Sequence, residues 1–156
     1  LQGENMKYII KRFEELTVDE LYESLKLRTK IFCVEQNCVY QDVDGRDKKS
    51  YHLMCLDNGR VVGYLRIIDK GITYEEICIG RVVVDTEHRG KDIGSEMLKR
   101  AMNFIRNELK ENTIRISAQE HLAKFYGDVG FNPVGKNYLE DGIPHIEMFY
   151  DASCND

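Results

Sequence analysis

The chain has 156 residues, with 27 Asp and Glu against 22 Lys and Arg for a net charge of -5 at pH 7. That length makes one domain able to close its own core without metal or disulfide, and the acid excess excludes a general nucleic-acid binder, which needs a basic surface to neutralise phosphates. No apolar run approaches the roughly 20 residues that cross a bilayer and no basic-then-apolar leader opens the sequence, so a cytoplasmic protein with no membrane partner is expected.

Leu1 to Asn5 precede Met6 and are read as an appended remnant, which leaves residues 6–156 as the domain. Lys7 to Phe13 reads as a first strand, and Thr17-Val18-Asp19-Glu20 is a capping box that starts a helix. Leu21, Leu25, Arg28 and Phe32 recur at helical spacing, so one face packs inward and carries Arg28 toward a polar pocket. Glu35 to Ser50 is polar and reads as a long loop. Tyr51 to Leu56 and Val61 to Ile68 flank Asp57-Asn58-Gly59-Arg60, and Asn-Gly between apolar runs signals a hairpin.

After a turn at Gly71 to Glu76, Ile77 to Val84 is a third strand of this antiparallel meander. A helix from Ile93 to about Leu109 follows, then a strand Thr113 to Ala118 and a helix from about His121 to Val129 closed by Gly130. Asn132 to Leu139 and His145 to Tyr150 form a last antiparallel pair. Strands first, then alternating β and α, predict a mixed α/β sheet of about six to seven mostly antiparallel strands flanked by helices.

Five cysteines, Cys33, Cys38, Cys55, Cys78 and Cys154, contain no Cys-x-x-Cys pair and fit neither a disulfide framework nor a zinc site. They read as reduced and mostly structural, and no metal is expected.

The stretch Arg89-Gly90-Lys91-Asp92-Ile93-Gly94 joins the third strand to the long helix. A strand that stops at such a turn and restarts as a helix aims unpaired amides and the positive end of a helix dipole at one spot. Arg89 and Lys91 add charge there, so a phosphate or pyrophosphate is the expected ligand. Neither a Walker loop nor Gly-x-Gly-x-x-Gly occurs. The plain alternative is an ordinary strand-to-helix turn with two solvated cations.

Those six residues resemble the acyl-CoA pyrophosphate loop of the GNAT superfamily of N-acetyltransferases, (Gln/Arg)-x-x-Gly-x-(Gly/Ala), with Arg89 and Gly94 at its ends and Asp92 where the family has its middle glycine. Aspartate tolerates a left-handed backbone well, so the turn is expected to survive. Tyr126-Gly127-Asp128-Val129-Gly130-Phe131 is similar to the family's Tyr-x-x-x-Gly-Phe, and the element order after Met6 matches the GNAT fold. Leu27 to Cys38, Asp44-Gly45-Arg46-Asp47, Ile79 to Val84 and Tyr138 to His145 narrow the resemblance to the ElaA-like subgroup.

The resemblance implies transfer of an acetyl group from acetyl-CoA to an amine of a small molecule or peptide. The backbone of Val82, Val83 and Val84 would pair with the pantetheine arm. Arg89, Gly90, Lys91, Asp92, Ile93 and Gly94 would surround the pyrophosphate, and Tyr126 would protonate the departing thiolate. His121, Glu35, His52, Glu140 and His145 are candidate bases, with Glu35 and His145 ranked first because they lie in subgroup-like strings. Pairing of two copies through the C-terminal strands is a further expectation.

Asp42, Asp44, Asp47, Glu140 and Asp141 fall, with Glu35, in segments expected to border the acceptor. Carboxylates there would attract a cationic amine, although loops are commonly acidic for solvation alone. Two other readings remain: a non-catalytic acyl-CoA sensor, favoured by Asp92, and an enzyme like the acyl-homoserine-lactone synthases, favoured by the Arg-to-Phe-to-Glu character of the first helix.

Overall fold

The computed structural model describes residues 6–154, and the reading of residues 1–5 as a remnant lies outside them. Strands β1 (Met6–Arg12), β2 (Ser50–Asp57), β3 (Arg60–Ile68) and β4 (Cys78–Val84) form one antiparallel sheet in chain order. The β2–β3 turn places Asn58 at φ 52° and Gly59 at φ 82°, the left-handed pair that an Asn-Gly hairpin requires. The second sheet is built on β8 (Ile143–Asp151), which pairs with β5 (Thr113–Gln119), β6 (Asn132–Pro133) and β7 (Tyr138–Glu140).

The described residues therefore form eight strands, against about six to seven expected. The run read as one strand from Asn132 to Leu139 is two short ones, because Gly135 turns at φ 85° between them. The fold class itself, mixed and mostly antiparallel α/β, is as expected.

Helix α1 (Val18–Arg28) packs on one face of the first sheet, and α2 (Ile93–Asn107) packs on the other. The Thr17 side chain accepts from the Glu20 amide and the Glu20 carboxylate accepts from the Thr17 amide, so the capping box is formed. Ile93, Met97, Leu98, Ala101 and Ile105 recur at helical spacing and bury one stripe of α2 against β2 to β5. That stripe comes unusually close at Gly63 of β3, where a Cβ would stand 3.0 Å from both Ile93 Cγ2 and Met97 Sδ. Truncating a side chain in this interface, such as Met97 to Ala, removes about 2 to 5 kcal/mol.

Helix α1 departs from the expected pattern. Its buried face is Ser24, Leu27 and Arg28, while Leu21 and Leu25 are half-buried. The helix then continues through Thr29–Glu35 as a π-helical segment, with the Gln36 amide donating to Ile31 C=O at 3.1 Å. The polar stretch expected to begin as loop at Glu35 thus begins one residue later, and Arg46–Lys49 within it forms a short 3-10 turn.

Candidate active site

Among the described residues the two sheets are joined by a parallel bridge between Ile77 and Ile114, with the Arg115 amide donating to Ile77 C=O at 2.9 Å. Beyond it β4 and β5 diverge. Arg81, at φ 53°, marks an irregularity in the β3–β4 register between Tyr64 and Arg66. Past Ile77, the edge of β4 turned away from β3 has no strand partner among the described residues.

A cleft of about 530 Å³ occupies this divergence. Of the residues expected at the site, Val82, Val83, Val84, Arg89 and Gly94 line it from the β4 side, and Tyr126, Glu35 and His145 line it too. Lys91, Asp92 and Ile93 lie instead beside a shallower depression at the start of α2, together with Lys99 and Arg100. Gly90, at φ 82°, bends the chain between the two.

Asp92 stands at φ 59°, ψ 20°, just before α2, in the left-handed conformation that the turn needs. Its side chain caps no amide. None of the amides from Gly90 to Ser95 has a protein acceptor among the described residues, and the first helical bond is that of the Glu96 amide to Asp92 C=O at 3.0 Å. A row of free donors at the positive end of a four-turn helix fits a pyrophosphate, and the free edge of β4 fits an extended arm that pairs as an added strand. The residues present therefore suit an acyl-CoA.

Tyr126 is buried on α3 (Ala123–Gly127), edge-on to both Phe125 and Phe131. Burial pushes its phenol well above the usual range, with a smaller contribution from Cys78, and no hydrogen bond to the hydroxyl is found among the described residues. It stays protonated at any physiological pH.

His145 is buried, with Nδ1 2.7 Å from Ile143 C=O and Nε2 3.5 Å from Glu140 Oε2. A carbonyl only accepts, so Nδ1 carries a proton, and Nε2 is turned toward the Glu140 carboxylate. Tyr138 stacks on the ring, and its hydroxyl is hydrogen-bonded to Ser117.

Glu35 has both oxygens engaged. Arg89 Nη1 is 2.8 Å from one and Thr86 Oγ1 donates to the other at 2.8 Å. The hydrogen bonds from Arg89, then Thr86, hold its pKa below the usual carboxylate range. His121 lines the cleft in an exposed position. His52 is away from it, buried between the Tyr64 hydroxyl at 2.6 Å and Asp47 C=O at 2.8 Å.

The acids of the polar loop behave as neither expectation had it. Asp42 and Asp47 are buried beneath the cleft and neutralised by arginines. Arg28 Nη1 lies 3.0 Å from Asp47 and Arg28 Nε 2.9 Å from Asp42, while Arg66 reaches Asp47 at 2.9 Å and Asp44 at 2.6 Å. Arg81 closes the network on Asp42 at 2.7 Å. Burial alone would raise Asp44 and Asp47, but Arg66 and Arg28 outweigh it and hold both low. These three carboxylates pin the loop to the sheet and are not free to attract an amine; only Glu140 and Asp141 of the acidic set remain open at the cleft.

Cys55 and Cys78 are buried and all five cysteines are free thiols. No motif marks Gln36 and Gln119, whose side-chain amides join across the cleft at 3.2 and 3.3 Å. Alternation along β5 was the available signal, since its odd positions, Ser117 and Gln119 included, face away from the core.

Comparison with known proteins agrees with this geometry. The acetyltransferase (GNAT) domain model matches residues 18–152. Over 136 residues the chain is 40% identical to Protein ElaA of Escherichia coli, covering 86% of this chain and 89% of ElaA. The crystal structure of E. coli ElaA superposes with a TM-score of 0.87 at 36% identity, over 94% of this chain and 99% of that one. An acyl-CoA N-acyltransferase from Pseudomonas aeruginosa superposes at 0.88 and 39% identity, over 93% and 99%. The AHL synthase LasI, at 19% identity, a TM-score of 0.75 and coverage of 94% and 90%, shares the fold alone. With the strands diverging beside a free β4 edge and the donor-rich start of α2 following in the chain, the chain belongs to the GNAT acetyltransferase family, in its ElaA-like subgroup, and is an acyltransferase.

Proposed function

We propose that this protein moves the acetyl group of acetyl-CoA directly to a primary amine of a small molecule or peptide, within a ternary complex. The observation that carries this reading is the lining of one cleft by the unpaired edge of β4, by Arg89 and Gly94 from the two ends of the loop whose amides are free, and by Tyr126.

In this reading the main chain of Val82 to Val84 binds the pantetheine arm and an amide there polarises the thioester carbonyl. Gly90 to Ser95, with Arg89, hold the pyrophosphate. His145 Nε2 takes a proton from the acceptor ammonium, and Glu140 stabilises the imidazolium that results. The neutral nitrogen then bonds to the acyl carbon while the carbon–sulfur bond breaks. Sulfur leaves with the electron pair and takes the Tyr126 proton, and the proton shed by nitrogen restores the phenol through solvent. Glu35, paired with Arg89, positions the loop and takes no proton.

The test is calorimetry with acetyl-CoA, combined with thiol release against a panel of amines. Binding with release is expected. Binding without release on any amine favours the sensor reading, and absence of binding overturns the acyl-CoA assignment.

A further inference from the structure

Four arginines line the cleft: Arg46, Arg66, Arg81 and Arg89. Three are neutralised there, Arg66 by Asp44 and Asp47, Arg81 by Asp42, and Arg89 by Glu35. The Arg46 guanidinium has no ion pair or hydrogen bond among the described residues. Its main chain, by contrast, is held at both ends. The Arg46 amide donates to Asp44 Oδ1 at 3.0 Å and its carbonyl accepts from Ser50 Oγ at 2.7 Å. The next residue, Asp47, is locked into the buried network. A fixed backbone therefore delivers one uncompensated cation to the cleft wall.

The opposite charge stands on the other side. Glu140 and Asp141 line the cleft from the β7–β8 hairpin, next to His145. The buried thiol of Cys78 on β4 lines the same cleft; burial raises it, Arg66 and then Arg46 oppose that rise, and Glu140 adds to it. A cleft that presents a free guanidinium on one wall and carboxylates with a histidine on the other is complementary to a molecule bearing a carboxylate and an ammonium.

We propose that the acceptor is an amino-carboxylate, in the simplest case an α-amino acid, whose carboxylate pairs with Arg46 while its amine faces His145 and Glu140. This rests on the amine acetyltransferase reading above and narrows its acceptor. Arg46 acts here as a specificity residue: a planar fork for a carboxylate, remote from the bonds that change.

The experiment uses three pairs of probes that differ only in the carboxylate: phenylalanine with phenethylamine, leucine with isoamylamine, and lysine with cadaverine. For each, thiol release from acetyl-CoA and, independently, binding to the protein saturated with CoA are measured on wild type, Arg46→Gln and Lys48→Gln. Lys48 is exposed, close in sequence and does not line the cleft, so its loss controls for general charge.

At least one carboxylate probe is expected to exceed its decarboxylated partner by about 10- to 100-fold in affinity or kcat/KM, the scale of a charge-assisted pair. That ratio should fall toward one in Arg46→Gln and persist in Lys48→Gln. Ratios near one or below in wild type overturn the proposal, as does a preference that survives in Arg46→Gln. Thiol release absent with all six probes, while the binding preference and its loss in Arg46→Gln persist, counts against acetyl transfer and leaves the carboxylate site standing.

Discussion

The Glu35 carboxylate and the Arg89 guanidinium meet at 2.8 Å across the mouth of the cleft, and Thr86 occupies the second Glu35 oxygen. A carboxylate so engaged, with its pKa held down chiefly by Arg89, is a poor proton acceptor. Glu35→Gln is expected to keep kcat within about threefold of wild type and to retain the ascending limb of the pH–rate profile. His145→Gln should lose about 10²- to 10⁴-fold in kcat, the range of a general base, and lose that limb. The reverse pattern would assign the base to Glu35.

Tyr126→Phe removes one oxygen and leaves the ring contacts with Phe125 and Phe131 in place. Stability should change by less than about 1 kcal/mol, because the hydroxyl has no protein partner among the described residues to lose. Turnover should drop by about 10²-fold or more, with the KM for acetyl-CoA nearly unchanged. Full activity in the variant, with thermal unfolding confirming a native fold, would remove Tyr126 from the mechanism.

The buried network makes stability sensitive to acid. Asp47 is held below its unfolded value, so its contribution is complete above about pH 4 and is lost as pH falls through the lower folded value. His52 is lowered by burial, so its contribution is complete above about pH 6.5 and declines below that, where only the unfolded chain takes the proton. Denaturant midpoints should therefore fall in two stages, first below pH 6.5 and then below pH 4. Asp47→Asn should cost about 3 to 5 kcal/mol at pH 7 by leaving Arg28 and Arg66 short of charge, and should flatten the second stage.

Asp92→Gly keeps the left-handed turn, which glycine adopts freely, and deletes a carboxylate beside the expected pyrophosphate. Acetyl-CoA should bind about two- to fivefold more tightly at low salt, with the gain shrinking as ionic strength rises. Weaker binding in calorimetry would mean that Asp92 assists the loop.

Local features of this fold were open to reading because they depend on residues a few positions apart. The Thr17–Glu20 capping box, the Asn58-Gly59 turn and the left-handed Asp92 each follow from the conformational preferences of one short segment. The extent of the first helix was harder. Its π-helical continuation to Glu35 is supported by the packing of Ile31 and Phe32 against the sheet, which periodicity does not encode. The eight-strand count likewise turned on Gly135, one residue inside a run that alternates like a single strand.

What the sequence alone determined was the order and type of the elements, and the place where strand gives way to helix at an amide-rich turn. Tertiary structure decided which charges stay available. Arg28 and Asp47 are 19 positions apart and Arg81 and Asp42 are 39 apart, yet each pair is joined in the interior. Composition counts Arg46 and Arg66 alike, and Asp47 and Asp141 alike. Only the folded chain buries one of each pair against an opposite charge and leaves the other on a cleft wall, because neutralisation depends on distance through space and on exclusion of water, and neither is a property of neighbours along the chain.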